Sequence, residues 1–157
     1  ADPALVVVTT AAEGEQAGCL VGFHTQSGMA PEQYCFWLSK ANHTYRVSLR
    51  SARFGIHLLT RDDAAAAEHF GTLSGEDTAT FSGIELDPAD HDVPLISSLP
   101  NRMVVERIAM LDDGGDHVSV IARVVSAEAS GPFTPLRTSD VSHLVPGHDS
   151  DERAIRP

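Results

Sequence analysis

Short apolar, β-branched runs alternate along this chain with polar stretches bearing Gly and Pro. That rhythm predicts a protein built chiefly of strands. Leu5-Val6-Val7-Val8-Thr9-Thr10 predicts the first strand, and Ala12-Glu13-Gly14-Glu15 predicts a turn after it. Gly18-Cys19-Leu20-Val21-Gly22-Phe23 then predicts the hairpin partner, with Gly18 and Gly22 marking a bulge or a close approach to the backbone. The polar, Pro-containing stretch 25–32 reads as a connection. Tyr34-Cys35-Phe36-Trp37-Leu38 is apolar throughout, which predicts a third strand buried on both faces.

A short helix over 44–51 rests on Tyr45, Val47 and Leu49 and more on its place between strands than on its period. Residues 53–59 predict a fourth strand, after which Asp62 or Asp63 opens an alanine-rich helix over 64–70, stopped at Gly71. Residues 72–98 read as loop with only Ile84-Glu85-Leu86 extended, punctuated by Pro88 and Pro94. Two long strands, 102–111 and 117–127, are joined by Asp112-Asp113-Gly114-Gly115-Asp116, a turn whose residues tolerate positive φ. Many strands and few helices, without a βαβ rhythm, predict a mainly β domain over 1–145. Its architecture is a closed antiparallel barrel with peripheral helices, because closure removes exposed edges, and a polar tail follows over 146–157.

Composition narrows the function. At 157 residues, with 42% apolar and 21% charged residues, the chain suits one ordinary globular domain, and no apolar run is long enough to cross a bilayer as a helix. A start of Ala1-Asp2-Pro3 lacks the basic region of a secretory signal, which predicts a cytoplasmic protein whose initiator Met has been trimmed. Cys19 and Cys35 lie in apolar runs without CxxC spacing and read as buried core thiols. The eight histidines show no ligand spacing, so no metal centre is expected. A net charge of −11 argues against nucleic acid or anionic membrane as the main partner, but a local basic site can still hold a small anion.

Such a local site has one candidate. Lys40 is the only lysine against ten arginines, and it falls where an apolar strand gives way to a helix start. Unpaired N–H groups at a helix start, together with Ser39, Asn42, His43 and Thr44 beside a cation, make a cradle for a phosphate. The plainer reading of the same residues is a capped helix with a solvated lysine.

Taken in order, several short pieces resemble the flavin reductase-like, FMN-binding split-barrel family. They are Val8-Thr9-Thr10, then Phe23-His24-Thr25-Gln26-Ser27, then Leu38-Ser39-Lys40-Ala41-Asn42-His43-Thr44, then residues 51–59, and finally Gly115-Asp116-His117 opening the last long strand. The resemblance implies an antiparallel split β-barrel homodimer that binds FMN, or FAD, at the subunit interface. It also implies an NAD(P)H-dependent flavin reductase supplying reduced flavin to a partner monooxygenase.

By that resemblance Gly22, Phe23, His24, Thr25, Gln26 and Ser27 line the polar edge of the flavin, Trp37 walls its face, and Lys40 to Thr44 take its phosphate. His117 would be the catalytic residue, positioning a nicotinamide or lending a proton. Strand alternation puts Asp116 and His117 on opposite faces, so contact between them is not expected. Three departures weaken the match to turnover: Gly22 and Cys19 stand where Ser or Thr is usual, Met29-Ala30-Pro31 replaces Asp-Pro-Pro, and the C-terminal tyrosine-rich segment is absent. They keep two alternatives open: a non-catalytic flavin- or haem-binding barrel, and a deazaflavin-dependent oxidoreductase.

Overall fold

The computed structural model describes residues 1–72, 80–88 and 92–143. Among the described residues seven strands are present: β1 (Val6–Ala12), β2 (Glu15–Val21), β3 (His24–Met29), β4 (Glu32–Ser39), β5 (Arg53–Leu58), β6 (Arg102–Leu111) and β7 (His117–Glu128). All are antiparallel in one sheet of order β2-β1-β5-β6-β7-β4-β3. Inward-facing Val8, Cys19, Phe36, Phe54, Val105 and Val120, drawn from six of those strands, pack into one buried cluster, so the sheet curls around a barrel interior. Each such side chain fully removed from water contributes about 1.5–3 kcal/mol.

The predicted mainly β architecture is present, but the expected closure is not. β2 and β3 are the two ends of the ladder order, and no ladder joins them. The chain passes from β2 to β3 through Gly22 and Phe23 alone, and β3 then pairs with β4. The Trp37 N–H donates to the Phe23 carbonyl at 3.0 Å, which ties this link to β4 rather than to β2. A split therefore stays open between β2 on one side and β4 with β7 on the other.

Local chemistry explains the elements and the misses. Glu13 (φ 53) and Gly14 (φ 80) form the two-residue turn joining β1 to β2, where positive φ matches the twist of the hairpin. The register of β1 on β2 runs unbroken, so Gly18 marks a close approach and not a bulge: a Cβ there would sit 3.0 Å from the Phe70 ring. Stretch 25–32 is largely a strand and not a connection. β3 is an edge with a single partner, so its polar, exposed residues carry no apolar signal. Cys35, Phe36 and Leu38 of β4 are buried, but Tyr34 and Trp37 are only half-buried, so that strand is not sealed on both faces.

Helix α1 (His43–Ser48) is capped by Asn42, whose Oδ1 accepts the Thr44 N–H at 2.8 Å. Helix α2 (Ala64–Thr72) runs past Gly71 and is entered through a 3-10 turn, Arg61–Asp63. Thr60, not Asp62 or Asp63, caps that turn, with the Asp63 carboxylate accepting the Thr60 N–H at 2.8 Å in a capping box. α2 lies on the outer face of β1 and β2, where Val7, Leu59, Ala67, Phe70 and Leu136 form a second apolar layer with Leu20 beside it. The described part of 72–98 is irregular apart from a bridge between Leu86 and Ile96. The tail 146–157 falls outside the described residues. No helix among the described residues is long and apolar enough to cross a membrane.

One polar network is sealed into this body. His57 on β5 is fully buried; its Nε2 accepts the Ile96 N–H at 3.0 Å, so its Nδ1–H donates to the Val7 carbonyl at 3.2 Å. Burial holds the imidazole pKa down at about 4. Arg102 Nη1 donates to the Ile96 carbonyl at 3.0 Å, and its Nη2 pairs with Asp87. Together these side chains hold the loop around Ile96 against β5.

Candidate functional site

The split holds a cavity of about 520 Å³. Its floor is apolar, from Leu5, Leu20, Val21, Phe70 and Val141, and Phe23 and Trp37 contribute aromatic surface. β4 supplies Trp37 and Ser39, the entry to α1 supplies Asn42, and the first residue of β7 supplies His117. The ladder explains why these meet: Ser39 lies directly opposite His117, and Trp37 opposite Ser119.

His117 and Phe23 meet edge to face with ring centroids 5.2 Å apart, and the Phe23 side is 59% exposed, so the pair stands at the mouth. The expectation that Asp116 and His117 diverge is not met: His117 Nδ1–H donates to Asp116 Oδ1 at 2.8 Å. Alternation applies inside a strand, and Asp116 still belongs to the turn before β7. The neighbouring imidazole holds the Asp116 carboxyl below the usual carboxylate range. With Nδ1 committed, neutral His117 keeps its lone pair on Nε2.

Of the residues proposed from sequence, Gly22, Phe23, Trp37, Ser39, Asn42 and His117 converge on the cavity. The others lie elsewhere. His24 donates from Nε2 to the Ala4 carbonyl at 2.6 Å and accepts the Tyr34 hydroxyl at Nδ1, 2.5 Å away. Thr25, Gln26 and Ser27 are exposed along β3. His43 pairs with Glu15, and Thr44 is buried beneath the helix start, at 1% exposure. Lys40 is buried too, with its ammonium 2.8 Å from Asp112 Oδ1 and outside the cavity lining.

Sequence reasoning missed the walls contributed by distant segments. Leu5, Phe70 and the 3-10 turn Thr138–Val141 with Ser142 reach the cavity from before β1, from α2 and from beyond β7. Leu5 N–H donates to the Leu136 carbonyl at 2.8 Å and Ser139 N–H to Asp2 at 2.8 Å, which joins residues 2–5 and 136–139 into one strap. The small, polar composition of 137–142 carries no local signal for this. The unusual β2 composition at Cys19 was visible, but its role was not. Burial pushes the Cys19 thiol up to about 12, so it acts as apolar wall and not as a nucleophile.

The lining suits a flat, partly polar ligand. Its volume lies in the range of small-molecule sites, about 300–1,000 Å³, with a few hydroxyl and amide groups set in an apolar wall. Among the described residues no carboxylate, Lys or Arg lines it, so the net charge of −11 is kept away from the space itself. A second cleft of about 440 Å³ differs in this respect, because Glu13, Asp87 and Asp92 line it and would repel a phosphate.

Residues 3–138 match the model of the flavin reductase like domain. The chain is 24% identical over 142 residues to the ferric-chelate reductase (NAD(P)H) of Archaeoglobus fulgidus, covering 90% of this chain and 83% of the relative. Its fold is that of the NADH:FAD oxidoreductase SgcE6 of Streptomyces globisporus, with a TM-score of 0.77 and 17% identity over 87% of this chain and 81% of that one. The fold is also that of nitrilotriacetate monooxygenase component B from Mycobacterium thermoresistibile, with a TM-score of 0.76 and 22% identity over 87% and 75% of the two chains. With the family model spanning nearly all of the barrel, the chain belongs to the flavin reductase-like family.

Proposed function

We propose that this protein is an NAD(P)H-dependent flavin reductase that takes FMN, or FAD in its place, into the cavity at the split. The observation that carries the reading is the convergence of Trp37, Ser39, Asn42 and His117 on one apolar, carboxylate-free space. A flavin bound there would supply the acceptor for a hydride from the nicotinamide.

The chain's own residues have separable tasks. Phe23 and Trp37 cover ring faces and keep water out, which also strengthens polar contacts inside. Ser39 and Asn42 offer hydrogen-bond donors to the polar edge or to the phosphate. His117 presents Nε2 to accept from a nicotinamide carboxamide or, when protonated, to donate.

The likeness to a monooxygenase component B supports a place in a two-component system, with reduced flavin passed to a monooxygenase, and the need for NAD(P)H fits a cytoplasmic location. A homodimer is supported by the open outer edge of β3 and by exposed Phe23 and Met29 beside it, which a second copy would cover. The deciding experiment is NADH and NADPH consumption by the purified protein with added FMN or FAD. Oxidation that needs both the protein and a flavin is the expected result. Flavin binding without reduction would leave the carrier or deazaflavin alternatives, and a Soret band in the spectrum would mean haem. Sedimentation showing a monomer that binds FMN tightly would remove the dimer.

A further inference from the structure

We propose that Lys40 and Asp112 form a clamp that fixes the β6–β7 turn and thereby positions His117, so that Lys40 is a positioning residue and not a phosphate ligand. This rests on the reading of the cavity as a flavin and nicotinamide site.

Residues 112–116 are all exposed, and the turn contains Gly114 at φ 94 beside Gly115. Left alone, such a segment samples many conformations. Here it is held at both ends by one residue. Lys40 Nζ lies 2.8 Å from Asp112 Oδ1 at the start of the turn, and the Lys40 N–H donates to the Asp116 carbonyl at 2.9 Å at its end. The same Asp112 oxygen accepts the Gly114 N–H at 2.9 Å, so the carboxylate organises the turn from inside while the ammonium ties it to the barrel.

Asp116 then holds His117 Nδ1, and His117 meets Phe23 at the mouth of the cavity. The path from Lys40 to the imidazole is continuous through side chains and main chain. A lysine is seldom this buried, at 4% side-chain exposure, unless it is paired, and here the partner is half-exposed and replaceable by water. To reach a phosphate the ammonium would have to leave Asp112 and enter a cavity it does not line.

The test uses Lys40→Met, which keeps most of the unbranched stem and removes the charge, and Asp112→Ala, which alters a half-exposed residue should the first variant fold poorly. Ring ¹⁵N NMR of ligand-free protein reads the tautomer of His117. Wild type should show the proton on Nδ1, and both variants should move toward a mixed tautomer, with Gly114 amide exchange faster by about tenfold. In turnover, kcat/KM for the nicotinamide should fall about tenfold in each variant while the FMN dissociation constant stays within about twofold.

The double variant should be no worse than the poorer single one, and Lys40→Arg should restore most of the loss. Unchanged His117 and Gly114 signals in both variants would overturn the clamp. So would a Lys40→Met protein that loses FMN but not riboflavin affinity, because that contrast marks a phosphate contact. If wild type consumes no NAD(P)H, the flavin reductase reading fails, and the NMR comparison still decides whether Lys40 positions His117.

Discussion

Two clusters in this protein each combine a histidine, a basic side chain and aspartate, and are put to different uses. Behind β5, His57 and Arg102 both bind the main chain of Ile96, and Arg102 pairs with Asp87; at the rim of the split, His117 pairs with Asp116 and Lys40 with Asp112. In the first, both imidazole nitrogens are used by main-chain groups and the ring is wholly buried. In the second, one nitrogen is used and the other is left beside a cavity. A fully satisfied buried histidine is a structural rivet. A half-satisfied one at an apolar mouth is available for chemistry.

The largest difference should appear on deleting each ring. His57→Ala leaves the Ile96 N–H without its acceptor in the interior, removes the ring's bond to the Val7 carbonyl and opens a void, which costs about 3–4 kcal/mol. For a chain of this size that is a fall of roughly 6–16 °C in Tm by calorimetry. His117→Ala should leave Tm within about 2 °C, as expected for a rim side chain away from the core. Equal losses would erase the distinction.

The pH dependence of stability should follow His57 as well. In the fold its pKa is held at about 4, whereas in the unfolded chain it is near the usual value of about 6.5, so the unfolded state takes up the proton first. The stabilisation is complete above about pH 6.5, is lost as pH falls from there to about 4, and amounts to about 3 kcal/mol in all. Urea midpoints measured across that window should drop in wild type and stay flatter in His57→Leu. Asp112 and Asp116, held low by Lys40 and His117, add a further loss only at more acidic pH, as they take up protons.

The same contrast explains what was legible in the sequence. Strands β1, β5, β6 and β7 follow from runs of β-branched, aromatic and aliphatic residues, because their inward side chains meet a buried face whatever their neighbours are. β3 was invisible for the opposite reason: an edge strand with one partner is held by main-chain bonds, and its side chains face water. At the site, Trp37, Ser39, Asn42 and His117 were legible because they sit on contiguous motifs. Lys40 was legible as unusual, but its partner lies 72 residues later in a turn, and no local pattern carries that pairing. The strap of residues 2–5 with 136–142 has the same character, being tertiary in origin.

Next in size is the effect of His117→Ala on turnover. If Nε2 orients the nicotinamide or moves a proton, kcat/KM for NAD(P)H should fall about 10²-fold with FMN affinity nearly unchanged. The pH profile should also lose a limb near the imidazole pKa. Stopped-flow reduction of the FMN-loaded variant at the wild-type rate would leave His117 a structural residue like His57, and the comparison would collapse.

The smallest and most discriminating change is at Asn42, which both caps α1 and lines the cavity. Aspartate caps a helix as well as asparagine does, so Asn42→Asp should change stability by less than about 0.5 kcal/mol and keep the bond to the Thr44 N–H. Alanine at the same position should cost about 1 kcal/mol. The added charge separates ligands instead. A phosphate near Ser39 and Asn42 would be repelled by a carboxylate a few ångströms away, lowering FMN affinity about tenfold at low salt and less at high salt. Riboflavin, which has no phosphate, should bind Asn42→Asp as it binds wild type. If both ligands weaken together, Asn42 touches the ring and the phosphate lies elsewhere along the rim. If neither weakens, Asn42 belongs with His57 among the residues that only hold the fold.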